Sequence, residues 1–142
     1  IRTLLHEFTH LLINKEQKTD HKTIAALMCW AEYLCEHVST FICKENGIGF
    51  KTDSETLLDN VLYSSEPQCY ERLGMFFGTL KSSEFIEKRV YDENKEFKRA
   101  LLELYGMVSE KTKGVLFPEV NSEWLDEFGE KLLEFGEVLG RL

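Results

Sequence analysis

Proline is scarce in this chain, and so is anything that reads as a sheet. Two prolines stand among 142 residues, and apolar residues recur at spacings of three and four rather than in alternation, which favours helices almost throughout. Basic charge is in deficit. Seventeen Lys and Arg face twenty-five Asp and Glu, for a net charge of -8, and no Lys/Arg cluster suggests a segregated basic face, so a phosphate backbone is repelled and nucleic acid is not the expected partner. No apolar run approaches the roughly 18 to 20 residues that cross a bilayer, and the opening residues lack the charged-then-apolar plan of a signal peptide. The expectation is an acidic, soluble, intracellular and cytoplasmic protein with no membrane partner. The four cysteines, Cys29, Cys35, Cys43 and Cys69, include no CxxC pair, and three share one expected helix on which they cannot be bridged; free, packed thiols follow.

What is abundant is material for one core. An apolar share of 43% with 12% aromatic fills a single domain over residues 1–142. Residues 2–14 are expected as a first helix with Leu4, Leu5, Phe8, Leu11 and Leu12 along one side. Asp20 caps a long second helix to about Lys44, with Ile24, Leu27, Met28, Ala31, Leu34, Val38, Phe41 and Ile42 as its stripe. "NGIG" at 46–49 is a turn, "TDSE" at 52–55 a capping box ahead of Leu57, Leu58, Val61 and Leu62, and "SEPQ" at 65–68 repeats the device ahead of Tyr70, Leu73, Phe77 and Leu80. A helix from Ser82 or Ser83 carries Phe85, Ile86 and Val90. After a break at Asp92 the pattern resumes through Phe97, Leu101, Leu104 and Val108, "KTKG" ends it, and "VLFPEV" crosses to a last helix capped by Asn121 or Ser122.

One stretch carries a chemical signature. In "TLLHEFTHLL" His6 and His10 lie one helical turn apart with Glu7 after the first, which is how two imidazoles share a metal ion while a carboxylate stands ready to take a proton from metal-bound water. The segment resembles the zincin metallopeptidases in this spacing, in Thr3 and in the uncharged positions around the motif. In the glutamate-ligand branch of that family a later helix supplies the third ligand from an acidic pair four apart. "AEYLCEH" offers Glu32 and Glu36 at that spacing. Counting about 100° per residue, Glu32 lies about 90° and Glu36 about 130° from the centre of the apolar stripe of its helix, which favours Glu32. The resemblance covers residues 3–36 and implies zinc on His6, His10 and Glu32, with Glu7 as general base. Taken alone, the stripe of the first helix turns both histidines toward water.

The C-terminal segment 121–142 has a seam of its own. Leu125, Phe128, Leu132, Phe135, Leu139 and Leu142 alternate by three and four over about two and a half heptads, short for an independent coiled coil. The seam therefore docks on its own domain or is offered to another chain, and Gly129, Gly136 and Gly140 beside it admit a close backbone. The expected fold is all-α, a single-domain bundle of six or seven antiparallel helices or a short stack of helical hairpins similar to HEAT repeats. By sequence alone the leading function is a helical adaptor or regulatory module that binds a protein partner or itself, without cofactor, through Leu125, Phe128, Leu132, Phe135 and Leu139. The competing class is a zinc metallopeptidase-like domain or fragment.

Overall fold

The computed structural model describes residues 2–6, 20–79, 82–89 and 94–140. Among these residues there are seven helical segments and no strand: α1 over residues 2–6, α2 His21–Glu45, α3 Ser54–Leu62, α4 Gln68–Phe77, α5 Ser82–Arg89, α6 Lys95–Lys111 and α7 Ser122–Gly140. The all-helical expectation holds. The rest of the first expected helix, with Leu80, Val90, Asp92 and Leu142, lies outside the described residues.

Each start has a local cause. The Asp20 carboxylate accepts from the backbone N–H of Thr23 at 3.3 Å and from its hydroxyl at 2.7 Å, and the Asn121 side chain accepts from the Trp124 N–H at 2.8 Å, so both caps fall where the sequence puts them. Two starts differ. The cap of α3 is Asp53, not Thr52: its carboxylate takes the Thr56 N–H at 3.1 Å and the Thr56 hydroxyl at 2.7 Å, the same Asp-x-x-Thr device as at Asp20. "SEPQ" is not a capping box. The backbone carbonyls of Ser65 and Pro67 accept from Cys69 and Tyr70, and Glu66 instead takes the Tyr70 hydroxyl at 2.6 Å.

Helix α2 is the axis of the molecule, with α4 and α7 along it, α3 on α4, and α6 on α7. Trp30 meets Trp124 edge-on while Gly129 lies over Lys22, so α7 runs antiparallel to α2. Phe97 against Phe135 and Lys131 against Glu103 make α6 antiparallel to α7. The α2–α4 pair departs from the antiparallel plan. Gly74 sits against Cys29 and Tyr33, and Gly78 against Tyr33, Glu36 and His37; both helices run the same way because α3 takes the return leg.

Glycine sets how close these helices come. A Cβ on Gly74 would stand 2.2 Å from the Cys29 carbonyl oxygen, and one on Gly129 2.4 Å from that of Lys22. Of the glycines beside the C-terminal seam, Gly129 admits the α2 backbone, Gly136 faces the Glu66 and Tyr70 side chains, and Gly140 has nothing within 4 Å. Around this axis Trp30, Tyr33, Tyr70, Leu73, Phe76, Phe77, Leu101 and Leu104 form one continuous core, each such side chain contributing about 1.5 to 3 kcal/mol by leaving water. All four cysteines are free and buried. No helix among the described residues is long and apolar enough to cross a membrane.

Candidate functional site

The seam and the histidine motif end in different places. Phe128, Leu132 and Phe135 are fully buried in the core, and Leu125 and Leu139 are half-buried against it. Among the described residues the seam is docked on its own domain. No partner touches Phe128, Leu132 or Phe135 unless the domain opens.

His6 reverses its expectation. It is buried, 6% exposed, whereas Leu4, two residues earlier and assigned to the apolar stripe, is 71% exposed. The cause is the surface α1 meets. On α2, Glu32 and Glu36 are one turn apart and share a face, and the imidazole enters between them. Nε2 lies 3.0 Å from Glu32 Oε2 and Nδ1 lies 2.7 Å from Glu36 Oε1. The other oxygen of Glu36, Oε2, is taken by the Arg2 guanidinium from the first turn of α1, and the guanidinium carbon stands 5.6 Å from the centre of the Phe50 ring. The result is a row of alternating charge, Arg2, Glu36, His6, Glu32.

Burial by itself lowers the basicity of His6. The hydrogen bonds and charges of Glu32 and Glu36 together outweigh it, and the pKa is pushed up to about 9. At neutral pH, without metal, the ring is an imidazolium whose charge is met by a carboxylate at each nitrogen. The two carboxylates differ in setting. Glu36 is the deeper, its side chain 6% exposed against 14% for Glu32, because α4 closes over it: a Cβ on Gly78 would meet Glu36 Cβ at 2.3 Å. His37 turns from this row and stacks on Tyr33 at 5.5 Å, with burial lowering its pKa. Tyr33 in turn shares a 2.6 Å hydrogen bond with Thr112, fixing α2 to the end of α6.

Of the residues singled out for metal, His6 and Glu32 are brought together; Glu7 and His10 lie outside the described residues. Among the described residues no group of three or more His, Cys, Asp or Glu is arranged to hold a metal ion. The described pair nonetheless suits a shared ion in its donor chemistry, one imidazole nitrogen beside one carboxylate oxygen. Glu36 fits a different part. A carboxylate on the far ring nitrogen fixes the tautomer and orientation of a ligating histidine and raises its basicity. Both Glu36 oxygens are engaged, one by the ring and one by Arg2. Sequence reasoning passed over Arg2 and ranked Glu36 second, because the stripe of α2 is counted without α1 and α4 on its polar side. No family model matches this chain, and neither a curated protein nor a solved structure does.

Proposed function

We propose that this chain is a zinc-binding domain of the HExxH type, acting in metal-assisted hydrolysis with a peptide bond as the substrate class its resemblance implies. One observation supports the reading above the others: His6 is buried against two carboxylates of α2 while Leu4, two residues before it, stands in water. An exposed leucine forfeits roughly 1.5 to 3 kcal/mol of burial. Departures of this kind from local patterning concentrate at functional sites. A chance histidine pair on an amphipathic helix is expected to keep its rings on the wet side.

His6, His10 and Glu32 would hold the ion and Glu7 would be the general base. When bound, zinc supplies a water acidic enough to attack at neutral pH. The chain's own residues prepare for this. Glu36 stands at Nδ1 and leaves Nε2 to face Glu32, and a ring proton must be released when a metal is taken up, so affinity falls as the solution is acidified. This reverses the ranking that sequence alone supports.

The second reading, a helical module for a protein partner, has the exposed Val115 and Phe117 of the α6–α7 connector in its favour, at 50% and 43% exposure. Metal analysis of the purified chain separates the two. The zinc reading expects one equivalent of zinc after loading and dialysis, lost in His6→Ala and Glu32→Ala. Retention of zinc in both variants, or none in the unaltered chain, returns the question to the interaction module.

A further inference from the structure

We infer that the outer face of α6 and α7 is the contact surface of a two-fold dimer, in which the basic edge of each copy meets the acidic edge of the other. Counting about 100° per residue, the outward side of α6 runs in the order Lys98, Leu102, Lys95, Arg99, Glu103 and Glu96. Lys95, Lys98 and Arg99 ring a shallow hollow over Leu102. Arg99 and Glu103 divide this hollow from a groove between the two helices, floored by Ala100, Phe135 and Val138 and bordered on the α7 side by Lys131, Glu134 and Glu137. Lys131 is engaged within its own copy, by Glu103 at 3.1 Å and Glu134 at 3.6 Å. The surface therefore passes from basic to acidic across its width.

Both signs stand at the wrong helix end. The first two turns of α6 carry Lys95, Lys98 and Arg99 against Glu96, where the macrodipole favours acids, and α7 has no basic residue in its last turn and carries Glu134 and Glu137 near its end, where it favours cations. Lys95 also forms like-charge pairs with Lys98 and Arg99, three and four residues on, and such pairs weaken a helix. No ion pair among the described residues takes Lys95, Arg99 or Glu137. Within one copy this arrangement burdens both helices; a second copy turns it into attraction. Because Phe97 meets Phe135, Glu134 and Glu137 stand level with the stretch from Lys95 to Arg99. A two-fold axis parallel to α6 exchanges the two edges at that level and sets the cations of each copy on the carboxylates of the other. An axis across the helices would set like on like, so the charges select the orientation as well as the occupant.

Sedimentation velocity tests this, with a chelator present so that no shared metal ion joins two chains. The unaltered chain should show a monomer–dimer equilibrium whose dissociation constant rises about tenfold or more between about 0.05 and about 0.5 M sodium chloride, as surface charge is screened. Lys95→Glu with Arg99→Glu, and separately Glu134→Lys with Glu137→Lys, should each weaken association about 100-fold or more. Each reversal gives its helix end the sign that the macrodipole favours, so neither threatens the fold, which far-UV circular dichroism checks. An equimolar mixture of the two variants should dimerise again, because opposite charges then meet at both contacts. A parent that is monomeric at every concentration, or that grows beyond the dimer, overturns the inference. So does association unchanged in the two variants, or a mixture that stays monomeric. None of these outcomes bears on the zinc reading, which rests on α1 and α2.

Discussion

Alanine for glycine should act with opposite sign at Gly74 and Gly106, two helical positions that differ only in what lies over them. Within a helix the change by itself gains about 1 kcal/mol, since glycine loses more backbone freedom on folding. At Gly106 nothing stands within 4 Å of the new methyl, so Gly106→Ala should stabilise the protein by about 0.5 to 1 kcal/mol. At Gly74 the methyl would lie 2.2 Å from the Cys29 carbonyl oxygen and 3.0 Å from both the Cys29 carbonyl carbon and the Tyr33 nitrogen. All three atoms are backbone, so no rotamer relieves the overlap, and α2 and α4 must separate by roughly 1 Å. A radial gap of that size forfeits about a quarter to a half of each contact's attraction, and overpacking in a core typically costs about 1 to 3 kcal/mol. Losing part of the packing of Tyr70, Leu73 and Phe77 against α2 adds to this, and the helix-propensity gain subtracts from it. Gly74→Ala should therefore destabilise by about 2 to 4 kcal/mol. Urea unfolding of the metal-free protein, followed by circular dichroism with equal slopes required of all variants, measures both. A Gly74→Ala variant as stable as the parent means that α4 does not lie on α2 at this distance, and the seating of Glu36 beneath Gly78 fails with it.

Two further outcomes follow from the same packing and charge. Phe128→Ala opens a cavity in a fully buried site between α2 and α7 and should lower stability by about 3 to 5 kcal/mol; a small effect with loss of self-association would place the seam at an interface instead. In the metal-free protein the folded-state pKa of His6 is raised from 6.5 to about 9, so its contribution is fully present below pH 6.5 and is lost as pH rises through about 9. Stability should drop over that window by roughly 3 kcal/mol, and most of the slope should be gone in His6→Gln, leaving the smaller fall that the raised Cys29 and Cys69 thiols add as pH nears 9. The lowered pKa of His37 acts only below pH 6.5 and with the opposite sign. A flat profile above pH 6.5 in the unaltered chain would show that the imidazolium is not held by Glu32 and Glu36.

Much of the fold is written in short-range signals, and the helix positions read correctly from them. The stripe assigned to α2 does not: Phe41 is exposed and Ile24, Leu27, Met28, Ala31 and Ile42 are only partly buried, while Cys29, Trp30, Tyr33 and Cys35 join Leu34 and Val38 on the buried face. Asp20, Asn121 and the apolar runs of α2, α6 and α7 each declare a helix within a few residues, since caps and periodicity act over one or two turns. The other errors lie where one local device imitates another. "TDSE" offers both Thr52 and Asp53 as caps, and the carboxylate wins by taking both polar hydrogens of Thr56. "SEPQ" has the letters of a capping box, yet Glu66 serves Tyr70, and its Oε1 would lie 2.6 Å from a Cβ on Gly136 of α7. That choice depends on a helix seventy residues away.

The site was half legible for a related reason. The spacing of Glu32 to Glu36 can be counted, because it is set by the helical repeat of α2. The direction in which His6 points cannot. A hydrophobic stripe locates the buried side of a helix only if the covering surface is apolar, and α1 meets α2 across two carboxylates. Against that surface an imidazole and a guanidinium are the better-matched side chains, and Leu4 is the residue turned out. The pairing spans some thirty residues in sequence and leaves no periodic trace in either helix. What the stripe could not foretell is that α2 presents, one turn apart, two acids that meet opposite nitrogens of the same ring.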